Sequence, residues 1–358
     1  MTDIVYSQRL GVISDAQFQA ALDHFGLGRL LRAEPIPYGL FGQNVFLTST
    51  AGDFVLRGNP HFGWQFETEA FHSRFLHEQA HMPTPIPYRI DASTDIFGWS
   101  YVIMPRMPGL QLADPKMRAA ISAEDNLALA FTLGETLAAL QAATYPHSGR
   151  YAADIGKVEP FDLATELAWP LPVSWFPQLN ETPPRSISFG ERTKAVLRWH
   201  LEQGHAANTP AATEADLMWV EQQIADAHEA LDDSFEPCIV LQDYKRENTV
   251  VTKEGEGWQV TGIFDLMEAY FGDGEVDLSR QCALYVDEEQ TALAETFLQG
   301  YLSRKTPRSG FAQRFRVYML LDRAQVWSYY WQHVPSWRET HPSFRVWTEH
   351  YLSLADMF

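Results

Sequence analysis

Apolar residues recur at helical spacing in several long stretches of the chain and at alternating spacing in shorter ones. Phe18, Ala21, Leu22 and Phe25 fall on one face of a helix read over residues 15–32. Residues 65–80 repeat the pattern with Phe66, Ala70, Phe71, Phe75 and Leu76, leaving Glu69 on or near that face. Pro83, Pro85 and Pro87 end this helix, since proline cannot continue one. Leu127, Phe131, Leu133, Leu137 and Leu140 predict a helix from Leu127 to Ala143. Residues 213–233 predict another, carrying Asp and Glu but no Lys or Arg. The tail reads as helical, with Trp327, Tyr329, Tyr330, Trp331, Trp337 and Trp347 as core-type aromatics.

Strands punctuate these helices. A glycine-containing turn at Tyr38–Asn44 runs into a strand, which pairs across Ala51–Gly52–Asp53 with Phe54–Arg57. A second strand pair ends in Trp99–Met104, and Pro105-Arg106-Met107-Pro108-Gly109 breaks the pattern. The break divides the chain into an N-terminal region of residues 1–107, with an antiparallel sheet and a helix, and a mainly helical C-terminal region of residues 108–358. The fold class is α+β. Residues 160–187, rich in Pro and aromatics, read as too irregular for a regular element and as a candidate lid or binding loop.

The balance of charge narrows the partners. With 27 basic and 46 acidic residues, the formal net charge is −19. That disfavours nucleic acid and anionic membranes and leans towards cationic partners. No run reaches transmembrane length. The N-terminus lacks a basic segment followed by a long apolar core, and the two cysteines, Cys238 and Cys282, cannot build a disulfide framework. The expected compartment is the cytoplasm.

The chemistry concentrates in Leu241-Gln242-Asp243-Tyr244-Lys245-Arg246-Glu247-Asn248, between the apolar run Cys238–Val240 and the β-branched run Thr249–Thr252. The polar segment Lys253–Gly257 then separates that run from Val260–Phe264, a hairpin signature. Folding the chain about Gly255 sets Asn248 opposite Ile263 or Phe264, and Asp265 beside Asn248 at the open end. An acid, an amide and a second acid are the groups that a phosphoryl-transfer site needs, one for the attacking hydroxyl and two for magnesium. Any one of them alone reads better in the plain way, Asp243 and Asp265 as turn caps and Asn248 as the start of a strand.

Other motifs are weaker. Gly39 and Gly42 would let backbone approach phosphate oxygens, but most glycine turns only turn. Arg57 alone is an ordinary strand arginine. His77-Glu78-Gln79-Ala80-His81 spells the H-E-x-x-H pattern of zinc hydrolases. Prolines end that helix at once and no third ligand follows, so a polar helix end is the better reading.

Taken in order, the glycine loop, strand-end base, helix Glu, hinge, D-x-x-x-x-N, second Asp and G-D-x-x-x-D-L resemble the aminoglycoside phosphotransferase-like branch of the two-lobed protein-kinase-like fold. This branch includes antibiotic, choline and homoserine kinases, and the similarity runs from about Tyr38 to Ser279. The resemblance implies that Gly39, Gly42, Gln43 and Asn44 cover the phosphates of ATP or GTP. It gives Arg57 the place of the strand lysine on the α- and β-phosphates, with Glu69 as its partner. Met104 would back the base, while the Pro105 carbonyl and the Met107 N–H bond its edge. Asp243 would be the catalytic Asp, Asn248 and Asp265 would hold Mg²⁺, and Asp277 would brace the catalytic loop. Lys245 stands where serine/threonine protein kinases carry a lysine that reaches the γ-phosphate.

Three departures stand out. Leu241 takes the place of a frequent His, Arg57 replaces Lys, and Gln141 follows Leu140 where relatives often have His. The short distance from Asp265 to the Gly272–Asp277 turn leaves no room for the activation segment of a protein kinase. A small hydroxylated acceptor fits better, and the acidic 213–233 helix favours a cationic one such as an amino sugar or amino alcohol. The alternative from another class is a non-catalytic nucleotide-binding scaffold, a pseudokinase.

Overall fold

A computed structural model of the protein describes residues 6–36, 43–180, 183–202, 211–255 and 257–358. By backbone proximity the chain forms two compact units. The first comprises Met1–Leu129, Tyr151–Lys157 and Lys245–Glu268; the second comprises Ala130–Arg150, Val158–Tyr244 and Ala269–Phe358.

In the first unit, α1 (Asp15–His24) opens with a reciprocal cap between Ser14 and Gln17. The helix expected over 15–32 ends early because Gly26 and Gly28 adopt φ of +65° and +76°, which no helix accommodates. The chain turns there into β1 (Leu30–Pro35), a strand that the helical spacing had concealed. With β2 (Asn44–Ser49), β3 (Gly52–Gly58), β4 (Arg89–Asp91) and β5 (Tyr101–Pro105) it builds an antiparallel sheet of order β1-β2-β3-β5-β4. Phe18, Ala21 and Leu22 of α1 cover Val45, Leu47, Leu56 and Ile103 of that sheet.

The helix α2 (Gln65–Gln79) departs from its hydrophobic pattern. Its buried stripe keeps Phe66, Ala70 and Leu76 but adds Gln65, Thr68, Glu69, His72 and Ser73, whereas Phe71 and Phe75 are only half-buried. Phe71 instead stacks on Tyr151, ring centroids 4.0 Å apart. Polar side chains buried in this way cost free energy unless they find hydrogen-bond partners. The last sheet of this unit orders β11 (Gly257–Ile263), β10 (Thr249–Glu254) and β6 (Leu110–Gln111), and α3 (Pro115–Ala119) follows β6 in the chain.

The second unit is largely helical. It takes α4 (Ala123–Leu140) from Ala130 onward, and the chain then forms the short pair β7 (Arg150–Ala152) and β8 (Lys157–Glu159). Residues 160–187, expected as an irregular loop, contain α5 (Leu163–Ala168), a 3₁₀ turn at Val173–Trp175 and α6 (Pro177–Asn180). Ala164, Ala168, Phe176 and Leu179 pack on Trp199 of α7 (Phe189–Glu202), so the segment has a small core of its own.

The helix read over 213–233 breaks at Ala227 into α8 (Glu214–Asp226) and α9 (His228–Asp232). Acids of α8 are engaged locally. Asp216 accepts from Thr213, Ser343 and the Arg345 N–H, and Glu221 pairs with Arg198. After α9 come β9 (Cys238–Val240) and β12 (Tyr270–Gly272), which pair antiparallel, then α10 (Leu278–Asp287), α11 (Thr291–Arg304), α12 (Phe311–His333), α13 (Pro335–Thr340) and α14 (Phe344–Thr348).

The long α12 packs on α7, α8 and α10, with Trp327 fully buried. α4 and α11 cross backbone to backbone. A Cβ on Gly134 would lie 2.0 Å from the Phe297 carbonyl oxygen, and one on Gly300 would lie 2.1 Å from that of Phe131. Among the described residues no helix is long and apolar enough to cross a membrane.

Candidate active site

Arg57 near the end of β3 is the centre of the first unit's polar cluster. Its Nη1 lies 2.9 Å from Glu69 Oε1 on α2, and its Nη2 lies 3.2 Å from Asp265 Oδ1. Glu69 is wholly buried and also accepts from Gln65 Nε2 at 3.1 Å. Burial opposes charge on Arg57, but Glu69 and Asp265 outweigh it and hold the guanidinium charged. Burial pushes the Glu69 carboxyl up to about 7; Asp265 adds to the rise, while Arg57 and Gln65 hold it back. One guanidinium thus spans two carboxylates, using the fork geometry that a lysine lacks.

The hairpin supplies Asp265. Thr249 pairs with Ile263, and the Phe264 N–H donates to the Asn248 carbonyl oxygen at 3.2 Å. Asp265 is therefore the residue just past Asn248's partner, placed there by the turn about Gly255 together with a register shift between Val250 and Val251. Asp265 adopts φ of +66°, a conformation that Asp tolerates better than most residues. Asn248 is buried, and its N–H donates to the Lys245 carbonyl oxygen at 2.9 Å, closing a 3₁₀ turn over Arg246–Asn248. Lys245 itself is extended and half-buried.

Other predicted residues fall in varied places. Gly39 and Gly42 lie outside the described residues. Asn44 pairs with Arg57 across β2 and β3, and Gln43 is buried with its side chain against His61. Among the described residues, the buried oxygens Gln43 Oε1, Asn44 Oδ1 and Glu69 Oε2 find no hydrogen-bond partner, which leaves room for a polar one. Met104 is buried with Phe66 and Val102, and Pro105 ends β5. Met107 lies against Gly262, where an added Cβ would come within 2.7 Å of the Met107 Cβ. His81 lies beyond the end of α2 with φ of +54°, so it does not share a helix face with His77 as an H-E-x-x-H zinc site requires.

The second unit holds the first half of the loop. Asp277 accepts from two successive backbone N–H groups, Leu241 at Oδ2 and Gln242 at Oδ1, both at 2.7 Å. Gln242 has φ of +64°, so this grip holds a bend that most side chains avoid. Burial pushes the Asp277 carboxyl up to about 7 against these two donors, with nearby Asp243 adding to the rise. The Tyr244 hydroxyl donates to the Leu133 carbonyl oxygen at 2.9 Å. Leu241, where a His is often found, is simply buried. The loop is braced at its backbone.

Gln141 explains another departure. Its Nε2 donates to the Gly274 carbonyl oxygen at 2.8 Å, and its Oε1 accepts from the Tyr301 hydroxyl at 2.9 Å. The pattern of the sequence did not single out Arg280, whose Nε lies 3.4 Å from Asp243 Oδ1 and 3.1 Å from Asp322 Oδ1. Its only signal was its position three residues after Asp277, one turn on along a helix.

A family model described as the phosphotransferase enzyme family matches residues 32–313. No curated protein matches the chain in sequence. Among solved structures, a thermostable mutant of aminoglycoside phosphotransferase APH(4)-Ia, in ternary complex with ADP and hygromycin B, is similar at 15% identity. Its TM-score is 0.55, over 94% of this chain and 97% of that one. The GDP complex of wild-type aminoglycoside 2'-phosphotransferase-IIIa is similar at 13% identity and a TM-score of 0.57, over 96% and 98% of the two chains. A putative fructosamine-3-kinase from Haemophilus somnus 129PT matches at 15% identity and a TM-score of 0.55, over 94% and 95%. These likenesses establish a kinase-like fold.

Proposed function

Since the chain belongs to the phosphotransferase enzyme family, we propose that it moves the γ-phosphoryl group of ATP or GTP to a hydroxyl of a small molecule. The observation that carries this reading is Arg57 held between Glu69 and Asp265, with Asn248 one hairpin position away. The ADP and GDP complexes of structural relatives support a nucleotide donor, and the hygromycin B complex supports a hydroxylated, cationic acceptor. In this reading residues 1–107 bind the nucleotide, and residues 108–358 carry the catalytic loop and the acceptor side.

Each residue has a role in the transfer. Arg57, held by Glu69, contacts the α- and β-phosphates, with Gly39, Gly42, Gln43 and Asn44 over the phosphates and Met104, Pro105 and Met107 beside the base. Asn248 and Asp265 are an all-oxygen donor pair of the kind a hard cation takes, and they would hold Mg²⁺. The chemistry supplied there is neutralisation of charge on the phosphate oxygens. Asp243 orients the acceptor hydroxyl and takes its proton. The acceptor oxygen bonds to the γ-phosphorus as the bond from that phosphorus to the β-phosphate oxygen breaks, and the nucleoside diphosphate leaves. Lys245 neutralises charge on the phosphoryl group in transit.

A panel of amino sugars, amino alcohols and neutral sugars, assayed with magnesium and either ATP or GTP, tests the reading. Release of nucleoside diphosphate that depends on one of these acceptors is the expected result. A chain that is stabilised by magnesium nucleotide yet turns over with no acceptor would be a nucleotide-binding scaffold.

A further inference from the structure

The proposed base, Asp243, has a cationic neighbour that no part of the catalytic scheme above uses. Arg280 stands in the first turn of α10, three residues beyond Asp277. Residues three apart share a helix face. Within one turn, then, the start of α10 grips the catalytic loop twice. Asp277 holds the Leu241 and Gln242 backbone, and Arg280 reaches the Asp243 side chain at Oδ1, 3.4 Å away.

Arg280 is itself held by charge. Its Nε lies 3.1 Å from Asp322 Oδ1 on α12, and its contacts to Asp322 and Asp243 are ion pairs outside hydrogen-bond geometry. The other oxygen of Asp322 accepts from Arg323 Nε at 2.8 Å and Nη2 at 2.6 Å. Arg323 continues to Asp287, 3.2 Å away, and Asp287 accepts from the Tyr351 hydroxyl. Arg323 and Asp322 are buried, with side chains 2% and 8% exposed, so this end of the chain of charges has little freedom. Arg280 and Asp243 are 19% and 24% exposed, enough for water to screen much of their attraction. A pair this wet adds little to stability. Its geometry makes better sense as orientation.

We propose that Arg280 is a positioning residue that fixes the Asp243 carboxylate through Oδ1, with Asp322 fixing Arg280 in turn. The inference rests on the phosphotransferase reading. Its effect passes through Asp243 alone, so it belongs to the chemical step and leaves nucleotide binding untouched.

The test is a cycle of variants assayed with magnesium nucleotide and the acceptor that the panel identifies. Arg280→Met should lower kcat roughly 10–10²-fold, the order seen when a partner that orients a reacting group is removed. The KM for nucleotide should stay within about twofold, and Arg280→Lys should recover part of the loss. In an Asp243→Asn background, adding Arg280→Met should cost less than about twofold, because the group it orients is already disabled. Asp322→Asn keeps the Arg280 charge but loosens its anchor, and should also lower kcat. Should Arg280→Met fail to fold, Arg280→Lys and Asp322→Asn carry the test, and wild-type kcat in both overturns the proposal. Equal losses from Arg280→Met with and without Asp243 overturn it too. An inactive wild type would bring down the phosphotransferase reading and this inference with it, whereas an active wild type with an equally active Arg280→Met brings down this inference alone.

Discussion

The Arg57 guanidinium lies 3.2 Å from the Asp265 carboxylate, across 208 positions of sequence. A strand-end base and a hairpin-end acid meet there, and Glu69 closes the group from α2. Removing the arginine strands a fully buried carboxylate. Arg57→Ala should therefore cost about 3–5 kcal/mol of stability, measured by urea unfolding. Arg57→Lys keeps one charge but cannot fork between two acids, so it should fall between wild type and alanine. Wild-type stability in Arg57→Ala would mean that the pair is not formed in solution.

The bracing of the Leu241–Gln242 bend gives a second expectation. Asp277→Ala leaves the Leu241 and Gln242 N–H groups without their acceptor, at about 1–3 kcal/mol for each buried donor. Amide exchange at these two residues should accelerate more than at Ile239 and Val240, which pair with Phe271 and Tyr270 in β12. Uniform acceleration across all four would point to general destabilisation in place of a local brace.

Lys245 separates chemistry from surface decoration. If it neutralises charge on the transferring phosphoryl group, Lys245→Ala should lower turnover roughly 10²–10³-fold, as loss of one preorganised donor does. A solvated loop lysine would leave steady-state turnover almost unchanged.

Much of this arrangement was legible because it rests on local signals. Gly255, with φ of +61°, sits between two β-branched runs and marks the hairpin, and a one-residue register shift between Val250 and Val251, which no spacing showed, then brings Asn248 level with Phe264. Other parts had no such signal. The stripe of Gln65, Thr68, Glu69, His72 and Ser73 breaks the rule that the buried face of a helix is apolar, so the apolar spacing of α2 found Phe66, Ala70 and Leu76 but not the polar residues buried beside them. Strand β1 was lost inside a helical spacing that two glycines interrupt. The short helices of residues 160–187 are each too brief to show a period, and their packing on α7 comes from tertiary contacts. Arg280 and Asp322 meet only because α10 and α12 pack, and no spacing along the chain encodes that.

A buried triad gives the second unit an acid-sensitive ion pair outside the proposed chemistry. Glu166 receives Arg150 at 3.0 Å and Arg192 at 2.6 Å. Burial alone would raise its carboxyl, but the two guanidinium groups outweigh burial and bring it down to about 2. A depressed carboxylate stabilises the fold above its unfolded value of 4.5, and that contribution fades as pH falls from there towards 2. Glu166→Gln should cost about 3–5 kcal/mol at neutral pH, because two buried cations lose their partner. It should also flatten the loss of stability below pH 4.5, measured by unfolding across that window. An unchanged acid limb would show that other carboxylates set it.

Phosphate transfer itself is the most direct measurement. Incubating the chain with magnesium and γ-labelled ATP or GTP, and following the label into the acceptor panel, asks whether the phosphoryl group reaches a small-molecule hydroxyl. Labelled acceptor should form with the wild type and fall by orders of magnitude in Asp243→Asn, with nucleotide-induced stabilisation retained in both. Label that never leaves the nucleotide for any acceptor, or that transfers equally well in Asp243→Asn, would contradict it.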